Sequence, residues 1–211
     1  SALYGGGAVA GTINMMTKRP GFNKTKISYT GNSCEGIYDQ QLGLISEIIS
    51  QNNKAGFYVY GSTRNRNAYD RNGDGITELG MLKNQTIGFN GFIKPFYNTE
   101  LQLSFHRISE ERRGGSELDK PVHESAIAEM VKHEKWGGKI RWEHKFNSQF
   151  QYKVNYAFSI LKRDSYYGGL SEDTPEAKLQ ALQYYGFSDN PLHTGGLQLN
   201  YIVNNHLLTG G

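Results

Sequence analysis

The feature that most constrains this chain is an alternation of apolar and polar residues that repeats with a period of two. From Phe150 to Leu161, every second residue is aromatic or branched aliphatic, and those between are mostly polar or small. Because successive side chains of a β-strand point to opposite faces, this period predicts a strand with one apolar face. Similar segments are 26–33, 38–49, 55–64, 85–94, 100–108, 135–146 and 197–203. The chain is therefore predicted to be all-β.

The composition agrees with a β-sheet protein and argues against several other classes. The 211 residues include 26 Gly, 14 Tyr and 10 Phe but only 5 Pro, and the formal net charge is +3. That charge is too small and too dispersed to predict a nucleic-acid-binding surface. The single cysteine, Cys34, excludes a disulfide framework. No run of about 20 apolar residues occurs, so no membrane-spanning helix is expected.

Short polar turns alternate with longer connections between the predicted strands. The short turns are 51–53, 95–99, 147–148 and 204–205, and the longer connections are 65–84, 109–134 and 162–194, with 34–37 as a short member of that second set. In an up-and-down antiparallel sheet, this order places all short turns at one end and all long loops at the other. Such asymmetry, with strands of about 9–11 residues, is typical of outer-membrane β-barrels. A soluble propeller or sandwich is the alternative, because its strands alternate in the same way.

Aromatic residues stand near several predicted strand ends, where a membrane barrel carries its interfacial girdles. They are Phe96, Tyr97, Trp136, Phe146, Phe150, Tyr166 and Tyr167. The polar residues of the strands are predicted to line the lumen of such a barrel. They are Gln102, Ser104, Lys139, Arg141, Glu143, Gln151, Lys153 and Asn155.

The first twenty residues are predicted to form a glycine turn followed by a short strand of small and branched residues that stops at Pro20. This segment closely resembles the end of the plug domain in TonB-dependent outer-membrane receptors, which reads SALYG…A.GG.INI.TK. The matching residues are Ser1, Ala2, Leu3, Tyr4, Gly5, Ala8, Gly11, Ile13, Asn14, Thr17 and Lys18. The sequence departs from the pattern at Ala10, where Gly is common, and at Met15 and Met16, where branched residues are common.

The resemblance implies that residues 1–20 end a plug domain and residues 21–211 begin a transmembrane β-barrel. Receptors of this family have about 22 strands around a plugged lumen. The chain supplies about eight of them, with a ninth expected to start at His206, so it is interpreted as a fragment. The family is located in the bacterial outer membrane, in contact with lipid, and is energised by the TonB complex through segments outside this chain. It imports scarce nutrients such as an iron–siderophore, haem or cobalamin.

Two other function classes remain open at this stage: a passive porin-like barrel, and a soluble antiparallel β-sheet module that binds a ligand. An enzyme is not expected, because no pair of carboxylates and no Ser/His/Asp set has a defensible spacing. No cofactor other than a calcium ion is predicted.

Six residues in the long connections are candidates for binding the nutrient. They are the aromatic residues Tyr166, Tyr167, Tyr184 and Tyr185 and the histidines His123 and His133. Local packing of the tyrosines and solvation of the histidines are the simpler interpretations. A short helix is predicted from Thr174 to Tyr185, with Thr174 as its cap and Pro175 at its first position.

The segment beginning at Asp70 matches the start of a calcium-binding loop. Asp70, Asn72 and Asp74 supply oxygen side chains at alternate positions, Gly75 follows, and Glu78 stands at position nine. The twelfth position is Met81, so the bidentate glutamate of such loops is missing. The alternative is a polar turn that needs no metal.

Overall fold

A computed structural model of the chain describes residues 19–211, which form one nine-stranded sheet with a short helix. The strands are β1 (Lys24–Cys34), β2 (Ile37–Ile49), β3 (Ala55–Arg66), β4 (Met81–Ile93), β5 (Thr99–Gly115), β6 (Ala128–Lys145), β7 (Phe150–Gly168), β8 (Tyr185–Val203) and β9 (His206–Gly210). The helix α1 spans Pro175–Ala181, and 3-10 turns occur at Val122–Glu124 and Leu182–Tyr184. Of the predicted plug end, residues 1–20, all but Arg19 and Pro20 lie outside the described residues.

Each strand pairs antiparallel with the next one in the sequence, so the order across the sheet is the order along the chain. This confirms the predicted all-β, up-and-down antiparallel architecture, including a ninth strand that starts at His206. In the described part of the chain, β1 and β9 are the two edges of the sheet and do not pair with each other. The observed sheet is therefore open.

The predicted alternation of turns is confirmed, although several predicted boundaries are wrong. Short turns lie at 50–54, 94–98, 146–149 and 204–205, and long loops at 67–80, 116–127 and 169–184. The segments predicted as loops at 109–134 and 162–194 contain long stretches of strand. Their strand residues are mostly charged or polar and show no regular alternation in hydropathy. Cross-strand pairs such as Glu111 with Lys132 hold them in register.

The strands differ in length in an ordered way across the sheet. β1 to β4 contain 11, 13, 12 and 13 residues, whereas β5 to β8 contain 17, 18, 19 and 19. The first hairpin turns within Glu35 and Gly36, whose φ angles of 49° and 85° are those of a two-residue primed turn. The long-loop end of the sheet therefore rises from β1 towards β8.

The register aligns most of the apolar strand residues on one face, which we call the apolar face. Val154, for example, lies opposite Trp142 on β6 and Leu197 on β8. The other side, the polar face, carries the residues between them, such as Lys153 opposite Glu143 and Gln198. Neither a second sheet nor a layer of helices covers either face in the described part of the chain.

Candidate functional site

The apolar face carries a broad band of exposed and half-buried apolar side chains, which we call the belt. It comprises Ile27, Tyr29, Leu42, Leu44, Ile48, Phe57, Val59, Ile87, Phe89, Ile93, Leu101, Leu103, Phe105, Trp136, Ile140, Trp142, Val154, Tyr156, Phe158, Ile160, Leu197 and Leu199. The exposed fractions of Ile27, Ile87 and Ile140 are 71%, 57% and 48%. Contiguous apolar surface of this extent marks contact with an apolar partner.

The belt ends sharply towards the long-loop end of the sheet. Arg107 lies at this edge, with its guanidinium 5.1 Å from the ring centroid of Trp136 and 3.0 Å from the carboxylate of Glu134. Beyond it the apolar face carries charged pairs, including Lys132 with Glu111 at 3.4 Å. The same face of the same strands thus changes from apolar to charged within a few residues.

Aromatic residues mark the opposite edge of the belt, at the short turns. Phe96, Tyr97 and Phe146 lie in these turns and are strongly exposed, and Phe150 begins β7 beside them. Of the aromatic residues predicted as girdles, these four and Trp136 lie at the edges of the belt. Tyr166 and Tyr167 do not, because β7 continues to Gly168, well beyond Ile160.

The eight polar strand residues that were predicted to line a lumen all lie on the polar face. Glu143 is the centre of their largest network: it lies 3.0 Å from Arg141 and 3.9 Å from Lys153, and it accepts a hydrogen bond from Gln151. These pairs are partly buried. The network around Glu143 thus pairs opposite charges within the polar face.

Arg19, the first described residue, is attached to the polar face near the short-turn end. Its guanidinium lies 3.9 Å from the ring centroid of Phe92, which is buried, and 2.7 Å from the carboxylate of Glu100. Gln102 donates a second hydrogen bond to Glu100 at 2.7 Å. The segment that leads into β1 therefore runs along the polar face and not along the belt.

Aromatic side chains on the polar face cover glycines of the neighbouring strands. Tyr60 lies over Gly88 and His106 lies over Gly137, so closely that a Cβ atom at either glycine would approach those rings within 2.5 Å or less. The rings of Tyr58 and Tyr60 are 5.5 Å apart. The aromatic rings thus fill the space that the glycines leave open, and they pack adjacent strands together on this face.

The buried apolar cluster lies at the long-loop end of the apolar face. Val122, Ala128 and Tyr166 are buried there, and Met130 packs against them. The loop 116–127 folds onto the sheet, and its Ser125 is fully buried and donates hydrogen bonds to loop carbonyls. This cluster fastens the loop to strands β6 and β7.

Arg113 is a buried charged residue of this region, and nothing in the sequence alone distinguishes it as a candidate. It is 7% exposed and donates hydrogen bonds to the Ser125 hydroxyl at 2.8 Å and to the Gly114 carbonyl at 2.5 Å. Burial lowers the pKa of this guanidinium, which lies beyond the belt, although the group stays charged at physiological pH. Arg112 and Arg113 are adjacent and equally basic in the sequence, and only the strand alternation identifies Arg113 as the one on the apolar face.

Four of the six predicted ligand residues lie close together on the apolar face. The ring of Tyr166 lies 4.9 Å from Tyr185 and 6.3 Å from Tyr184, and the Nδ1 atom of His123 is 3.0 Å from the Tyr185 hydroxyl. Tyr167 and His133 lie on the polar face, opposite Glu129 and Arg163. The structure therefore divides these residues between two surfaces, and their role in binding stays a prediction.

The predicted helix is present, shorter than expected. Thr174 caps α1 by accepting a hydrogen bond from the Ala177 amide at 3.2 Å, and Pro175 is its first residue, as predicted. Ala181 is buried. The hydrogen bond from Lys178 lowers the pKa of the Asp173 carboxyl beside the cap.

The oxygen atoms of the predicted calcium loop accept hydrogen bonds from the loop itself. The carboxylate of Asp70 accepts from the amides of Gly73 and Gly75 at 2.7 and 2.8 Å, and Glu78 accepts from the Arg71 amide at 2.6 Å. Asp74 accepts from the Ile76 amide and the Asn72 side chain. Within residues 19–211, no group of three or more His, Cys, Asp or Glu side chains is placed to hold a metal ion. Calcium binding by Asp70, Asn72, Asp74 and Glu78 stays a prediction.

No helix among the described residues has the length and apolar character needed to cross a membrane. Comparison of the chain with protein-family models, with curated proteins and with solved structures gave no match.

Proposed function

We propose that this chain is part of a receptor of the TonB-dependent type in the bacterial outer membrane. The receptor binds a scarce nutrient and imports it actively. The observation that carries the proposal is the contrast between the two sides of one sheet. One side is an exposed apolar belt, and the other carries partly buried ion pairs. A soluble sheet buries its apolar side against a second layer.

The height of the belt supports contact with lipid. On β7 the belt runs from Val154 to Ile160, and Tyr152 stands at its lower edge. At about 3.3 Å per residue, the nine residues from Tyr152 to Ile160 extend about 30 Å along the strand, or about 23 Å along the membrane normal at a tilt of about 40°. This agrees with the apolar band of about 25 Å in outer-membrane barrels.

Placement in lipid requires that the two sheet edges be paired. Backbone groups cannot stay unsatisfied in hydrocarbon, so a sheet crosses a membrane only when it closes on itself. We therefore propose that further strands of the full-length protein pair with β1 and β9 and complete a barrel, with the polar face inside.

The path of Arg19 supports a plug inside this barrel. The plug-like motif ends one residue before Arg19, and Arg19 is bound to Phe92 and Glu100 on the polar face. The segment that joins the two parts thus lies on the side proposed to be the lumen. By the resemblance of residues 1–18, the nutrient is an iron–siderophore, haem or cobalamin, and the TonB complex supplies the energy.

The proposal is tested with the full-length protein in cells. We expect it in the outer-membrane fraction, in a form whose electrophoretic mobility changes on heating, and we expect uptake of its nutrient to stop when the TonB complex is deleted. Recovery in the soluble fraction would reject the barrel. Uptake that continues without the TonB complex would reject the receptor and favour a passive porin.

The polar network offers a second test of a plugged lumen. Glu143→Gln removes the charge that Arg141 and Lys153 share, and we expect the weakened plug contacts to increase entry of a large antibiotic such as vancomycin. Glu134→Gln is the matched control, because Glu134 lies on the apolar face. Equal antibiotic sensitivity of both variants and the unaltered protein would contradict this role.

A further inference from the structure

A row of five side chains crosses the apolar face at the long-loop end, from β4 to β8. Its members lie directly opposite one another in the register: Met81, Arg113, Met130, Tyr166 and Tyr185. The loop 116–127 folds over the row and leaves a cleft of about 360 Å³. That volume is near the lower limit of sites for small organic ligands, about 300 Å³.

The walls of this cleft combine apolar and cationic groups. Met81, Met130 and Val122 supply apolar surface, and Arg113 and Lys120 supply positive charge, although the ammonium of Lys120 is also paired with the carboxylate of Glu117 at 2.5 Å. The cleft therefore matches a molecule that has an apolar body and a negatively charged end.

Two further polar side chains line the cleft. Glu111 also reaches it, but its carboxylate lies 3.4 Å from the ammonium of Lys132. Tyr185 contributes a hydroxyl that is 3.0 Å from His123. In the described part of the chain, neither Glu111 nor Tyr185 forms an ion pair with Arg113, so neither neutralises its charge.

Arg113 is a buried cation whose protein partners are all neutral. It is 7% exposed, and its acceptors are the carbonyls of Gly114 and Ser116 and the hydroxyl of Ser125, at 2.5, 3.4 and 2.8 Å. These bonds use three of its five N–H donors. Burial of a charge without a counter-ion is energetically costly. A counter-ion from outside the chain would remove that cost.

A second polar group on the same row is buried and unsatisfied. The hydroxyl of Tyr166 is fully buried and has no hydrogen-bond partner among the described residues. Tyr166 packs between Tyr184 and Tyr185, with ring centroids 6.3 and 4.9 Å away. The Arg113 guanidinium and the Tyr166 hydroxyl therefore both have N–H or O–H donors that no acceptor among the described residues uses.

We propose that Arg113 binds the carboxylate or phosphate of a small soluble molecule whose apolar part packs against Met81 and Met130. This site goes beyond the proposed import function and does not depend on it. The import path follows the polar face, whereas the cleft opens on the apolar face beyond the belt.

Its distance from the belt distinguishes a soluble anion from a lipid head group. Arg113 is six residues beyond Arg107, which stands at the belt edge, and this corresponds to about 20 Å along the strand. A lipid whose chains contact the belt places its phosphate near Arg107. The cleft therefore takes a ligand from the solvent.

The test measures binding of phenyl phosphate and benzoate to the detergent-solubilised full-length protein by isothermal titration calorimetry. Both anions are expected to bind saturably, and the neutral analogue benzyl alcohol is expected to show at least about tenfold weaker binding. Arg113→Met is expected to weaken binding of both anions by about tenfold or more. The matched control is Arg112→Gln, at the neighbouring residue on the polar face, with affinity within about twofold of the unaltered protein.

Lys120→Gln provides a second variant that does not disturb the sheet, because Lys120 lies in the loop and is exposed. It is expected to weaken binding of both anions about threefold or more. This variant still tests the site if Arg113→Met does not fold. The proposal is overturned if neither anion binds saturably, if benzyl alcohol binds as tightly, or if Lys120→Gln leaves the affinity unchanged. It is also overturned if phosphatidylglycerol vesicles displace phenyl phosphate and phosphatidylcholine vesicles do not, because the site then belongs to a lipid.

Discussion

The belt and the long-loop end occupy the same face of the same strands, yet they are built on opposite principles. In the belt, apolar side chains such as Ile140 are exposed and nothing in the described part of the chain covers them. At the long-loop end, Tyr166 is buried beneath a loop, and charged pairs such as Lys132 with Glu111 lie between it and the belt. The strands are continuous through both regions, so backbone pairing alone does not explain the difference.

The comparison shows that the surroundings of a strand, rather than the strand itself, decide what its side chains must be. Where water surrounds a sheet, apolar groups are covered and the exposed groups are charged. Where the surroundings are apolar, the requirement reverses. The change at Arg107 thus marks, in this interpretation, the level at which one solvent replaces the other.

The largest expected effect comes from removing the centre of the covered region. Tyr166→Ala leaves a cavity beneath the loop 116–127, and we expect it to destabilise that region by about 3–5 kcal/mol. The measurement is hydrogen exchange of the loop amides in the full-length protein. Tyr167→Ala is the control, because Tyr167 is 55% exposed on the other face, and it should cost less than about 0.5 kcal/mol. Equal effects would remove the distinction between the two regions.

A charge placed in the belt tests the opposite region directly. Leu103→Lys puts an ammonium near the middle of the belt, and if lipid surrounds it we expect a loss of about 2–4 kcal/mol in folding stability in bilayers. Its neighbour Ser104 lies on the polar face, so Ser104→Lys should have a much smaller effect. Urea titration in lipid vesicles gives both values. In a water-exposed belt, Leu103→Lys would be almost neutral.

Packing of the polar face sharpens the comparison further. A methyl group at Gly88 would lie 2.5 Å from the Tyr60 ring and 2.8 Å from the carbonyl oxygen of Phe105, so Gly88→Ala should destabilise the sheet by about 1–3 kcal/mol. At Gly61, on the apolar face of the adjacent strand, the nearest atom is 3.6 Å away. Gly61→Ala should therefore be close to neutral in the same unfolding measurement, and comparable losses would contradict the described packing.

The smallest expected effect is a pH dependence confined to the long-loop end. The hydrogen bond from Lys120, followed by that from the Ala126 amide, lowers the pKa of the Glu117 carboxyl below 4.5. A carboxyl with a lowered pKa stabilises the fold fully above its unfolded pKa, and this contribution is lost as the pH falls through the folded pKa. Exchange protection of loop 116–127 should thus be constant from pH 7 to about pH 5 and decline below about pH 4. Glu117→Gln should remove this step, and its persistence in that variant would assign it to another group.

Most of the sheet could be predicted from the sequence, because the alternation of apolar and polar residues that defines each strand is a local pattern. The alternation at 150–161 and the polar turns determine both the strand and its neighbours, and all eight predicted lumen residues share one face. The ends of the strands were misplaced where charged residues alternate with charged or polar ones, as from Glu111 to Arg113. Such segments have no hydropathy contrast, and only pairing with the adjacent strand reveals them.

The candidate sites were less predictable, because they depend on which face a residue occupies and on what a loop covers. Tyr166 and Tyr167 are neighbours in the sequence and were grouped together, yet they lie on opposite faces. Arg112 and Arg113 are equally basic, but one is exposed and paired with Glu110, while the other is buried without a carboxylate. The strand alternation, extended correctly to these residues, places the two members of each pair on opposite faces. The burial of Arg113, however, depends on how loop 116–127 folds over the sheet, which the alternation does not show.

The stepped strand lengths have a consequence for how anything reaches the polar face. Between β1, with 11 residues, and β8, with 19, the sheet gains eight residues, or about 26 Å along the strand. A molecule that approaches from the long-loop end meets a tall part of the sheet at β8 and a low part at the tight turn of Glu35 and Gly36. In the proposed barrel, the polar face is therefore reached most readily over the low part of the wall, at β1.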